Sequence, residues 1–218
     1  MKTLSVGLSS WIIQDGNYAE FEAGRQYRFA LEFVPTAVAA AQSRTRYLEP
    51  RDGCEYAFGG QVVLVWPSVA VLDAGILCYH EGSVMGLPPA GDYAAGEFYL
   101  GVDPFFWKET HSRRWGAPNL FYDWQIEEIL LETTPWLESQ DDRGRKVLRR
   151  AEVPQTFSAV SRTDAWEDDD GNAHYILRCA RVLKNWLAPF KGFVTQTSPR
   201  FSTLHETARI MYTSRSNL

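Results

Sequence analysis

The chain has no C-x-x-C pair. Cys54, Cys78 and Cys179 are odd in number and far apart, so neither a disulfide framework nor a zinc knuckle is indicated, and buried free thiols in a reducing compartment are the simplest reading. No apolar run approaches the ~20 residues that a membrane-spanning helix needs. The opening segment, MKTLSVGLSSWII, has one lysine and a short apolar run diluted by Ser5, Gly7, Ser9 and Ser10. No small-x-small cleavage site follows it, so it reads poorly as a signal peptide. The expectation is a cytoplasmic protein with no membrane partner. Also missing are G-x-S-x-G, G-x-G-x-x-G and the G-x-x-x-x-G-K-S/T loop, which removes the common serine-hydrolase, dinucleotide and P-loop chemistries. His205-Glu206 begins like a zincin motif, but Arg209 stands where the second histidine belongs. The remaining histidines, His80, His111 and His174, are widely spaced. No catalytic, cofactor-binding or metal-binding residue is therefore assigned, no cofactor is expected, and the reading leans away from an enzyme.

What is present is a β pattern. Tyr27, Phe29, Leu31 and Phe33 alternate with Gln26, Arg28, Ala30 and Glu32, the period-two signature of a half-buried strand. Leu4, Val6 and Leu8 alternate before the turn-forming DGN of residues 15–17, and Phe98, Leu100 and Val102 alternate after a Gly/Pro-rich loop. QVVLVW (61–66) and VAVLDAGILCY (69–79), broken by Pro67, are nearly continuous apolar runs, as expected of strands covered on both faces. LFYDWQIEEILLETTPWL (120–137) reads as a strand with a bulge after Ile126 in preference to an amphipathic helix. ESQDDRGR (138–145) marks a hairpin tip or a boundary, and residues 156–183 predict a hairpin turning at Asp170-Gly171. A capping-box pattern, Thr203 with Glu206, precedes TARIMY, which alternates equally well as a strand. Together these predict a mainly β chain with minor helix, built as an antiparallel barrel or sandwich, an OB-like barrel among the options.

Two acidic groupings invite chemistry. DDDGN (168–172) lacks the spaced ligands of a calcium loop and reads as a solvated turn. Glu127, Glu128 and Glu132 could form a paired-carboxylate site, but neighbouring strand residues face opposite ways, which weakens a glycosidase reading.

Charge is more informative. Residues 1–142 carry a net −11 and residues 143–218 a net +6, giving the overall −5. This suggests an acidic β-rich region over 1–142 and a basic β-hairpin region with a C-terminal segment over 143–218, or one continuous domain with two electrical sides. Docking of the two sides is the plainest explanation. Beyond it, the leading expectation is a non-enzymatic cytoplasmic binding protein of immunity-protein or antitoxin type, whose acidic face meets a basic protein partner. An alternative is an OB-like single-stranded nucleic-acid binder, with Arg143, Arg145, Lys146, Arg149 and Arg150 along the phosphates and Trp166 and Trp186 stacking on bases; the net negative charge makes nucleic acid the less favoured partner. WKETHSRRW (107–115) is a second basic and aromatic cluster, whose Trp107 and Trp115 could simply anchor a loop. A third option is a small-ligand barrel, or an enzyme whose site is assembled from distant residues.

Overall fold

A computed structural model of the chain describes residues 3–83, 86–140, 144–151 and 154–183. It is mostly strand with minor helix, and five strands close into a mixed barrel to which others are added. In chain order the elements are β1 (Thr3–Ser9), α1 (Ser10–Gln14), β2 (Gln26–Phe29), β3 (Leu31–Ala40), β4 (Tyr47–Pro50), β5 (Glu55–Trp66), β6 (Val69–Asp73), β7 (Leu77–Glu81), β8 (Tyr93–Val102), β9 (Tyr122–Glu132), β10 (Trp136–Gln140), β11 (Lys146–Arg150), β12 (Phe157–Val160) and β13 (His174–Arg181). Short helical turns lie at Phe106–His111 and Asp168–Gly171. Among the described residues no helix is long and apolar enough to cross a membrane.

The barrel runs β3–β8–β5–β6–β7 and returns to β3 through a parallel bridge, Glu32 to Tyr79; its other ladders are antiparallel. The alternation in the sequence sets its lining. Phe29, Leu31 and Phe33 are fully buried, as are Phe98, Leu100 and Val102 opposite them. Phe98 packs against Phe33 and Phe58 with ring centroids 5.3 and 4.7 Å apart. The continuous apolar run at 69–79 is two strands joined by a tight turn, where Gly75 takes φ +94. Val69, Ala70, Val71 and Leu72 are all buried because β6 is covered on both faces: Leu72 joins the inner core, whereas Val69 and Val71 join an outer cluster with Ala30, Tyr79, Trp107 and Leu120. The segment after β8 thus roofs the outside of the barrel.

β8 is where the sheet branches. Along one edge it pairs with β3; along the other it pairs with β5 from Tyr93 to Tyr99, then bridges in parallel to β1 through Gly101 and Gly7. β1 continues to β13, β13 to β9, and β9 to β2, which leads into β3 after Ala30 alone. A second circuit therefore shares β3 and β8 with the first. The bulge expected after Ile126 is present: Arg178 faces Glu128 and Cys179 faces Ile126, leaving Glu127 as the extra residue.

The hairpin expected over 156–183 does not form. β12 and β13 pair with opposite edges of β9 and not with each other. β13 is instead an interior strand, paired with β1 along one edge and β9 along the other, and Tyr175, Ile176, Leu177 and Cys179 are buried, which an isolated two-stranded hairpin could not achieve. Alternation specified which residues face inward and left the partner open. The hairpin that does form joins β10 to β11, with Trp136 opposite Arg150 and Gln140 opposite Lys146, as a separate two-stranded sheet. Thr203, Glu206 and the TARIMY segment lie outside the described residues.

The β3–β8 ladder carries a bulge between Pro35 and Ala37, and there a β-carbon on Gly96 would stand 1.9 Å from the carbonyl oxygen of Ala37. Gly96→Ala must push the β3 and β8 backbones apart and is expected to cost about 2–3 kcal/mol. Gly101→Ala, whose new methyl meets nothing nearer than 3.6 Å, is expected to cost under about 1 kcal/mol. Urea unfolding midpoints of both variants check the contrast.

Candidate functional site

The basic residues singled out in the sequence do not form one surface. Within β11, Lys146 and Arg150 share a face with Leu148, whereas Arg149 points to the other. Lys146 pairs with Glu138 at 3.1 Å. Arg150 lies over the Trp136 ring at 4.1 Å, donates to the Thr134 carbonyl and is ion-paired with Asp169. It is a strut between hairpin and body. Trp136 Nε1 also donates to Asp169 at 2.9 Å, so the acidic DDDG turn is an anchor as well as a solvated loop. Asp168 accepts a hydrogen bond from the Tyr175 hydroxyl at 2.8 Å, and Asp169 and Asp170 are held at φ 51 and 53. Arg145 and exposed Trp166 lie outside the Arg150–Asp169 contact; Arg143 and Trp186 lie outside the described residues.

A cleft of about 500 Å³ lies between the β6–β7 turn, β4 and the ends of β1, β9 and β13. Leu4, Leu48, Ile76 and Trp124 make its apolar walls, with Glu49 and Arg181 as the charged groups. β13 alternation brings Arg181 there, with its guanidinium over the Tyr122 ring at 4.2 Å. Among the described residues no carboxylate lies within ion-pair distance of it. Trp124 is fixed by a hydrogen bond to the Phe29 carbonyl at 3.2 Å, and Tyr122 accepts the Leu77 N–H at 3.0 Å. The cleft is preformed by the fold's own bonds.

A smaller recess, about 140 Å³, sits at the branch point of β8. Glu32, Val34, Tyr99 and Gly101 reach it from paired positions on β3 and β8; Gly7 and Ser9 come from β1, Trp11 from α1 and Pro104 from the roofing segment. Gly7 is required here, because a β-carbon on it would fall 1.6 Å from the Tyr99 hydroxyl. That hydroxyl lies 2.7 Å from His174 Nε2, whose Nδ1 faces Glu132 at 3.8 Å. Burial holds Tyr99 protonated and lowers the His174 pKa, the nearby Glu132 opposing the latter shift. Burial, reinforced by Asp103 and Glu81, pushes the Glu32 carboxyl up to about 7, although a backbone N–H of Glu81 partly offsets this. Asp103 itself is buried and well served: Tyr79 donates to it, as do the backbone N–H groups of Phe105, Trp107 and Lys108 at 3.0–3.1 Å. Glu81 is paired with buried His111.

Sequence reasoning missed both hollows. Glu32 occupies the polar phase of an alternating strand, which reads as a solvent face, and the cleft draws on five segments. Two signals were available: Gly7 and Gly101 inside strands mark a close approach, and the Phe105-Phe106-Trp107 run signals that something must be covered. Trp107 is indeed fully buried over the barrel, whereas Trp115 is exposed.

Arg150→Ala is expected to lower stability by about 2–4 kcal/mol because it leaves Asp169 without its cation, while Arg149→Ala should stay within about 0.5 kcal/mol. Chemical denaturation distinguishes them. For Glu32 the folded state binds the proton more tightly than the unfolded chain, so its contribution to stability declines as pH rises from 4.5 through about 7. Glu32→Gln should therefore raise Tm relative to the parent above that window and have little effect below it, as read by calorimetry on both sides.

No protein-family model, no curated protein and no solved structure matches the chain.

Proposed function

We propose that the protein is a small-ligand-binding β-barrel protein whose site is the 500 Å³ cleft, and that its ligand is an amphipathic organic anion with an apolar body. The observation that carries this reading is Arg181, a cation stacked on Tyr122 inside an apolar cleft, with no carboxylate partner among the described residues. The volume lies within the range of small-molecule sites, which are mostly apolar with a few placed polar groups. A guanidinium in such a setting offers a forked pair of donors to a carboxylate or phosphate. Glu49, mostly solvent-exposed, disfavours a second negative group at its end of the cleft, which selects for a single anionic head.

A protein partner is the second reading, supported by a different surface. One face of the β10–β11 hairpin leaves Trp136 39% and Leu148 64% exposed, on a body whose residues 1–183 carry a net −9. A basic protein would suit both features. Association through this surface should slow with ionic strength, survive Arg181→Gln and fail in Leu148→Asp.

Titration calorimetry with decanoate and with decanol tests the first reading. Decanoate should bind, and decanol or Arg181→Gln should weaken binding by about tenfold or more, since a hydrogen bond to a charged group contributes about 1.5–3 kcal/mol. Equal affinity for acid and alcohol, or an indifferent Arg181→Gln, would reject it.

A further inference from the structure

We propose that the recess at the branch point of β8 binds a small organic cation, an alkylammonium or quaternary ammonium group, between the Glu32 carboxylate and the Trp11 ring.

Three observations converge. The first is shape: the recess has about 140 Å³, the scale of a compact ammonium head, and Val34, Val102 and Pro104 give it walls suited to methyl or methylene groups. The second is charge. Glu32 has no cationic partner among the described residues. Among the described residues, the titratable groups facing it are Tyr79 and Glu81 from β7, Asp103 from the roofing segment and Tyr99 from β8, with His111 behind Glu81. His111 is committed to Glu81 and the Asp103 donors to Asp103, while Lys108 donates to the Asn17 carbonyl at 2.9 Å and lies over the Tyr18 ring. One carboxyl group is left uncompensated beside two others that are already engaged. The third is the aromatic wall. Trp11 is 48% exposed although it lines the recess, and Phe105 braces it edge-on at 6.4 Å. Indole is the strongest of the aromatic partners for a cation, and quaternary ammonium groups are recognised by such surfaces.

An organic cation suits the recess better than a metal ion. Among the described residues no group of three His, Cys, Asp or Glu side chains is placed to hold one. Hard cations need six or more oxygen ligands, whereas an ammonium group needs one anion and apolar contact. The recess lies on the outer face of the β1–β8–β3 sheet, formed by residues that do not line the cleft. The inference is therefore independent of the proposed anion site.

The test is NMR titration of the full chain with tetramethylammonium, with n-butylammonium and with the neutral isostere tert-butanol. Tetramethylammonium or n-butylammonium is expected to shift the Trp11 indole and Gly101 amide resonances; the tighter of the two identifies a quaternary or a primary amine. tert-Butanol should bind about tenfold more weakly or not at all, Glu32→Gln should cost about tenfold, and Trp11→Ala about threefold or more. Affinity should fall as pH drops below about 7, where a proton competes for Glu32. Glu32→Gln removes a charge that opposes folding, so the variant is expected to fold, and Trp11 is half exposed. Absence of shifts at tens of millimolar cation would overturn the proposal, as would equal affinity for tert-butanol, binding unchanged in Glu32→Gln, or shifts confined to residues 74–76 and Arg181. Decanoate occupying the cleft should leave ammonium binding unchanged, so failure of either site is seen separately.

Discussion

The structure depends on one strand, β8, serving both the closed barrel and the second run of strands that leaves from β1. β8 can do so because Gly7 and Gly101 face each other where β5 leaves its edge and β1 arrives. With no β-carbon at Gly7, the Tyr99 ring lies across the junction and reaches His174 on the far side of β1. A side chain at Gly7 would displace the ring, and with it the contact that ties β8 to β13 across the seam. Core packing is continuous through this point: Leu4, Val6 and Leu8 belong to the same apolar cluster as Phe33, Phe58 and Phe98. Burial of such side chains contributes about 1.5–3 kcal/mol each, so the two circuits stabilise each other through the core as well as through the ladder.

Strand existence and phase were legible because period-two patterning is local. Phe29, Leu31, Phe33, Phe98, Leu100 and Val102 all point inward as their alternation demands, and the parity break between Ile126 and Ile129 disclosed the bulge at Glu127. Partner choice was not legible. β13 could have folded back on β12, and nothing in its own alternation places it between β1 and β9. The hollows were less legible still: no local pattern brings Trp11, Glu32, Tyr99 and Pro104 together, or Leu4, Leu48, Ile76 and Arg181. Such sites arise from which strands become neighbours.

Charge in this protein is arranged more by pairing than by net sign. The boundary between acidic and basic sequence, at 142 and 143, falls between the two arms of one hairpin, and across that hairpin Glu138 meets Lys146. Asp169 meets Arg150, Glu128 meets Arg178 and Asp73 meets Arg46. Many of the acids that make the early sequence look like an anionic face are thereby occupied locally. Among the described residues, Glu32 in the recess and Arg181 in the cleft have no ion-pair partner, differ in sign and sit in separate hollows.

The pairing of β1 with β13 has a consequence for synthesis. Seven residues of β1 find their full ladder partner only in His174–Arg181; besides that strand, β1 has a single bridge to β8. At translation rates of about 5–20 residues per second, roughly ten to thirty seconds separate the emergence of the two strands. During that interval Leu4, Val6 and Leu8 have no sheet to join, so the nascent chain carries an apolar edge that a chaperone must shield or a protease can find. A strand made long before its partner is among the last to be secured, and a ribosome halted before residue 174 leaves β1 open.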